Sequence, residues 1–407
     1  MRAKKSWPYL KKHFGKLAKP LKGDVINMFK KTLMAIIVGT TVLSSVTVTS
    51  AAPSLPEVRK PSLAIDLIVD GKRVTLPDTE PYIDGAGNTM VPIRFVSEKL
   101  GADVKWDNGK QIVTIIHKGN TIVMPVGSKK VTVNGNDITL DTMAIKKEGR
   151  VVVPLRFVSE TLNAEVKWDG KVSYINITSP EYQSKVDAGT VTLDRWGREL
   201  RAKQTSKEWN LMSDTPDNVY SIKKYMIAHA DGELVAKDYA NKFTKEDLDR
   251  IVKNVKDYYK LALNIDYRTI TSASYFNKSF DLLGHNGYID QEPYTNFVSF
   301  MKKNKVIVEG YAYPDTSTIY YYHGTSFIRT KFKFRVLNAV DYSQFGMDSY
   351  NPSNKAESPK WVKKGKWYET YSDVSLFTNS QDIYGTLKVG SGENMFTKGS
   401  YLYKELK

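Results

Sequence analysis

The chain of 407 residues contains no cysteine, which removes disulfides, thiol nucleophiles and thiolate-ligated zinc at once. Histidine is almost as scarce: His13, His117, His229, His285 and His323 are the five present, and no two are separated by a single residue. Scattered singly, they suit ordinary surface or loop positions better than metal ligation. There is no Gly-x-Ser-x-Gly elbow and no Gly-x-x-x-x-Gly-Lys-Ser/Thr loop, so neither serine hydrolase chemistry nor nucleotide phosphate binding is encoded as a motif. Beyond residue 46 no apolar run approaches the roughly 20 residues that cross a bilayer.

What is present is a globular composition, 41% hydrophobic and 12% aromatic, in a chain long enough for two or three domains. The formal charge of +16 would suggest nucleic acid or a membrane, but residues 1–51 alone hold ten Lys or Arg against Asp24. That segment also carries Lys30 and Lys31, an apolar run from Leu33 to Val46 and small residues at Thr49 and Ala51. This is the pattern of a secretory signal peptide, so residues 1–51 are expected to be one. The membrane is then met only transiently, and a retained anchor is the alternative. Met28 alone would begin a leader of ordinary length, which leaves two starts open. Export without cysteine fits the exterior of a Gram-positive bacterium, and export makes nucleic acid an unexpected partner.

The sequence "VPIRFVSEKLGADVKWD" at residues 91–107 recurs as "VPLRFVSETLNAEVKWD" at 153–169. Pro92 to Pro154 and Trp106 to Trp168 are both steps of 62. Each copy predicts a strand ending at the proline, a short helix spaced by Phe95, Val96 and Leu100, and a left-handed residue after it, Gly101 or Asn163. Ala102, Val104 and Trp106 then alternate with polar residues, as a strand buried on one face does, which makes Trp106, Trp168, Pro92 and Pro154 candidate core anchors. Upstream, "IVDGKRVTL" is similar to "TVNGNDITL" at an offset of 64. One unit buries little surface alone, whereas two can share a core. Two copies acting as a bivalent binder is the functional alternative.

The doubled pattern Val-Pro-Ile/Leu-Arg-Phe-Val-Ser-Glu, then Leu, Gly/Asn-Ala and Val-Lys-Trp-Asp, with "VGSKKVTVNG" between the copies, resembles the copper amine oxidase N-terminal (stalk) domain family over residues 63–178. The resemblance implies an α+β module, a curved antiparallel sheet on short helices, that is not the catalytic part of an amine oxidase. Those oxidases need a His-x-His pair, a third histidine and a tyrosine in an Asn-Tyr-Asp/Glu context; this chain has no His-x-His pair and no Asn-Tyr dipeptide. Amine oxidase activity is not expected, and no metal or cofactor is called for.

The expected organisation is therefore α+β throughout: a signal peptide at 1–51, the duplicated stalk-like domain at 60–178, a linker at 179–190 and a Tyr-rich α+β domain at 191–407. Of 25 tyrosines, all but Tyr9, Tyr82 and Tyr174 lie in residues 181–407. There a helix is predicted over 244–263, with Thr244 and Asp247 in its first turn, and a shorter one over 293–304. Strands are predicted at 305–313, 318–322 and 326–338, with shorter ones near 366–371, 384–389 and 400–404, as in a helix cradled by a curved sheet.

"IDGAGN" at 83–88 lacks the distal Glu of a calcium loop and predicts a turn. Glu309 in an apolar strand is either a tuned acid or half of an ion pair, and Asp266 with Arg268 suggests a local pair. In "FIRTKFKFRV", Arg329, Lys331, Lys333 and Arg335 share one face of a strand. That face is either a solvated exterior or a strip for an anionic polymer such as teichoic acid. The best reading is an exported, non-catalytic envelope or surface binding and scaffold protein, engaging cell-wall polymer, teichoic acid or peptidoglycan. A secreted hydrolase with Asp266, Glu309 and His323 converging in a cleft is the alternative, and a ligand-free spacer the third.

Overall fold

A computed structural model of the chain describes residues 55–58, 61–222, 234–235, 237, 239–284, 290–322, 324–342, 344, 346, 362–377, 387–390 and 402–406. The leader, His13, His229, His285 and His323 lie outside these residues.

The N-terminal part opens with β1 (Asp66–Val69), β2 (Lys72–Arg73), β3 (Tyr82–Ile83), β4 (Thr89–Pro92), α1 (Ile93–Lys99), β5 (Asp103–Asp107) and β6 (Ile112–His117). A connecting strand β7 (Asn120–Pro125) leads into the second copy: β8 (Lys130–Val133), β9 (Asn136–Thr139), β10 (Ile145–Lys147), β11 (Arg150–Pro154), α2 (Leu155–Thr161), β12 (Glu165–Asp169) and β13 (Tyr174–Thr178). The expected left-handed residues are there, Gly101 at φ 81° and Asn163 at φ 55°. Asp70-Gly71 and Asn134-Gly135 both take positive φ, the conformation that tight two-residue hairpins need.

The copies are interleaved. β5-β6-β7-β8-β9 form one sheet and β12-β13-β1-β2 another, so each sheet joins the Trp hairpin of one copy to the Gly-turn hairpin of the other. β1 runs parallel to β13, a departure from a purely antiparallel module. Between the sheets β4 and β11 pair antiparallel, with Val91 opposite Val153, Met90 opposite Pro154 and Pro92 opposite Val152. Val91 and Val153 are equivalent positions of the repeat, so the copies meet about a local two-fold. Val96, Ile115, Val153, Val158 and Ile175, drawn from both copies, lie in one buried cluster. Pro92 and Pro154 are buried.

Residues 179–190, expected as a linker, contain α3 (Pro180–Asp187), capped by Ser179, with Tyr182 buried. Proline at the first helical position and a serine cap start this helix; its weak apolar periodicity hides it in the sequence. The remaining chain forms α4 (Asp217–Tyr220), β14 (Leu234–Val235), α5 (Lys245–Ala262), β15 (Ile265–Asp266), α6 (Ser272–Leu282), β16 (Leu283–Gly284), α7 (Glu292–Lys303), β17 (Ile307–Tyr322), β18 (Thr325–Asn338), β19 (Tyr368–Phe377), β20 (Lys388–Gly390) and β21 (Leu402–Glu405). The two strands expected at 305–313 and 318–322 are one, β17, with a register shift between Pro314 and Ile319. Thr244 and Asp247 close the expected capping box of α5.

The sheet runs β14-β17-β18-β19-β20-β16, and α5 lies on one face of it. Val252, Val255 and Tyr259 from the helix share a core with Ala312, Ile328, Phe332 and Phe334. Gly310 permits the approach: a Cβ there would stand 2.9 Å from Leu263 and 3.0 Å from the Lys333 carbonyl. The other face of the sheet turns towards the N-terminal domain. Lys256 of α5 reaches that domain too, donating to the Ala64 and Val172 carbonyls. The residues from Leu55 onward form one compact unit.

Candidate functional site

Equivalent residues of the two copies line two equivalent grooves. In the first, Pro92, Arg94, Phe95, Val104, Trp106 and Val113 meet Lys146, Gly149 and Arg150 of the other copy. In the second, Pro154, Arg156, Phe157, Val166, Trp168 and Ile175 meet Ile83, Gly87 and Asn88, again from the other copy. The first encloses about 130 Å³ and the second about 390 Å³.

The difference follows from what the crossing hairpin brings. Lys146 Nζ stands 5.9 Å over the Trp106 ring and the Arg150 guanidinium 5.3 Å over Phe95. Their equivalents at a step of 62 are Asp84 and Asn88. The Asp84 carboxylate is spent inside its own turn, accepting from the Ala86 and Asn88 backbone amides, so "IDGAGN" is the expected turn. Trp168 is left 45% exposed, whereas Trp106 packs half-buried against the core. The reading of Trp168 as a core anchor is thereby corrected: the strand alternates as predicted, but the groove beside its outer end stays open among the described residues.

Residues 68–177 match the copper amine oxidase N-terminal domain. Over 106 residues the chain is 29% identical to the primary amine oxidase of Klebsiella aerogenes. This covers 26% of the chain and 14% of that relative, so the chain spans a small fraction of the relative's length. His-x-His is absent from the sequence, and among the described residues, which include His117 alone of the five histidines, no group of three or more His, Asp and Glu is placed to hold a metal ion.

The amine-oxidase-type N-terminal domain also decides the fate of the basic strand. Arg329 is 1% exposed, Lys331 6% and Lys333 1%, and Arg335 is half-buried, so Arg329, Lys331, Lys333 and Arg335 form neither a solvated face nor a strip open to a polymer. Asp373, directly across from Arg329 on β19, accepts from its Nε at 2.7 Å and from Nη2 at 2.9 Å. Lys331 pairs with Glu369 at 3.4 Å, and Lys333 donates to Glu80 at 2.5 Å and to the Leu76 carbonyl at 2.6 Å, both in the N-terminal domain. Arg335 pairs with Glu309 at 2.7 Å and Glu148 at 3.3 Å. The missed signal is "YETYSD", in which Glu369 and Asp373 alternate as the cations do.

More buried charge lies within the halves and, through Lys256, between them. Asp66 lies 2.6 Å from Arg73 and 2.7 Å from Lys256. Burial pushes its carboxyl up, but Arg73 and Lys256 outweigh that and hold it below the usual range. Arg198 bridges Asp214 at 2.7 Å and Asp315 at 2.8 Å. Burial again raises Asp315, and Arg198 and Arg73 together hold it well below an ordinary aspartate.

Asp266 and Glu309 do line one cleft, of about 660 Å³, with Asp78, Glu80 and Glu148. Each is tied to a cation: Asp266 to Arg268 at 2.5 Å, Glu309 to Arg335, and Asp78 to Arg150 at 2.8 Å. Burial raises Asp266 and Asp78, yet the arginine bonds leave both below the ordinary value, so neither holds a proton to donate near neutrality. Glu309 is the structural ion pair of the two readings offered for it.

Proposed function

We propose that this chain is an exported, non-catalytic binding and scaffold protein of the cell envelope, with the Trp168 groove as its docking place. The exposure of Trp168 beside a groove of about 390 Å³ carries the reading, since an aromatic face next to an open recess offers a partner a place to bury apolar surface. The short apolar run after Lys30 and Lys31 supports export, with processing near Ala51. Contact with teichoic acid through the Arg329 strand is not part of the proposal, because that strand is covered.

The test is co-sedimentation of the secreted protein with a crude envelope fraction. Binding by the parent and its loss in Trp168→Ala, with an unchanged melting temperature, is the expected result; no binding by the parent overturns the proposal. A hydrolase remains the second reading only because Asp266 and Glu309 share a cleft.

A further inference from the structure

The first groove shows how this constellation is completed when a cation is supplied from within the chain. Arg150 lies over the Phe95 ring and is clamped by Asp78, Nη2 to Oδ2 at 2.8 Å. The second groove repeats everything but the cation. Phe157 stands for Phe95 and Trp168 for Trp106, each at a step of 62, and Asp141 of "LDT" at 140–142 takes the place of Asp78 of "LPDT" at 76–79 once Pro77, which has no counterpart, is skipped. Phe157, Trp168 and Asp141 all line the recess. Where Arg150 would enter, the chain has Asn88, and among the described residues no Lys or Arg stands over Trp168 or Phe157.

Charge points the same way. Arg94, Lys146 and Arg150 line the first groove, where the one acid at hand, Asp78, is bound to Arg150. Asp141 and Glu160 line the second against Arg156 alone. An aromatic face flanked by carboxylates attracts a planar, weakly hydrated cation more than a neutral group.

We infer that the Trp168 groove takes the guanidinium of an arginine side chain presented by a partner protein, in the place that Arg150 fills in the first groove. This rests on the reading of the groove as the docking place, and it names the ligand class. The occupant is an arginine rather than an uncharged or anionic group because the second copy keeps the acid and both rings while its own chain supplies asparagine.

The inference is testable on the full secreted chain labelled with 5-fluorotryptophan, the Trp168 resonance being assigned with Trp168→Phe. Titration with Nα-acetyl-arginine amide should shift that resonance saturably. Nα-acetyl-citrulline amide, equal in shape but uncharged, should bind at least about tenfold more weakly, and Asp141→Asn should weaken the arginine probe by about threefold or more. Asn88→Arg, which rebuilds the internal cation of the first groove, should abolish the response.

Equal response to arginine and citrulline, a response confined to Trp106, or no response at all overturns the inference. So does an Asn88→Arg protein that binds the arginine probe as the parent does. Envelope sedimentation separates this from the broader reading: undiminished binding to protease-stripped walls would defeat the arginine partner and leave the envelope role standing. Absent envelope binding with an intact arginine response would do the reverse.

Discussion

Lys333 Nζ on β18 lies 2.5 Å from Glu80 Oε1 of the N-terminal domain, 253 residues away in sequence. Tyr313 donates to the other oxygen of the same carboxylate at 2.6 Å. A buried ammonium, a carboxylate and a phenol thus satisfy one another where the two halves meet, and the geometry exists only when both are folded and docked.

Lys333→Met should therefore leave Glu80 charged and unpaired in the interior, at a cost of roughly 3–5 kcal/mol. Adding Glu80→Gln should recover part of this, because the amide still accepts from Tyr313 without needing a counter-charge. Denaturant unfolding of the single and double variants checks it, and a loss below about 1 kcal/mol for Lys333→Met would show that the pair is solvated.

Replacing Arg329, Lys331, Lys333 and Arg335 together with Gln should abolish cooperative folding. The change strips the counter-charges from Asp373, Glu369, Glu80 and Glu309 at once, and several such losses exceed the 5–15 kcal/mol that typically separates folded from unfolded chains. Circular dichroism melting is the measurement; a melting temperature near that of the parent would contradict the burial of this face.

The two repeat tryptophans should respond unequally despite identical neighbours. Trp106→Ala should cost about 3 kcal/mol, the low end for a packed aromatic, and Trp168→Ala less than about 1 kcal/mol. Urea midpoints of the two variants give the comparison directly, and equal losses would mean that the grooves are equally closed.

Acid should destabilise the protein through its depressed carboxyls. Asp66, Asp214 and Asp315 all lie below their ordinary values, each raised by burial and brought down further by facing arginine or lysine. A depressed carboxyl contributes stability that is complete above its unfolded pKa of about 3.9 and is lost as pH falls towards the folded value. The urea midpoint should thus be flat in this respect above about pH 5 and drop below about pH 4. Asp315→Asn should lower the midpoint at pH 7 and flatten the acid limb; an unchanged limb would show that Asp315 titrates alike in both states.

Local features of this chain were legible because their causes are local. The capping box of Thr244 and Asp247, the left-handed positions of Gly101 and Asn163, the Gly turns and the alternation of β18 each depend on a few neighbouring residues. The repeat predicted a shared core for the same reason, since its apolar period marks which face must be covered. α3 was missed because Tyr182 and Val186 are too few to mark a face, whereas α6 was legible in principle, with Thr271 as its cap and Tyr275, Phe276, Phe280 and Leu282 along it.

Alternation told which side chains of β18 share a face, but not what would cover it; that was settled by the N-terminal domain and β19, whose acids lie far away in sequence. The tryptophans make the same point. "VKWD" is written identically at Trp106 and Trp168, so the sequence determined their strands and their orientation. Their exposure was decided by the hairpin that crosses from the other copy, carrying Lys146 and Arg150 to one groove and Asn88 to the other, because burial depends on the atoms that arrive from elsewhere in the chain.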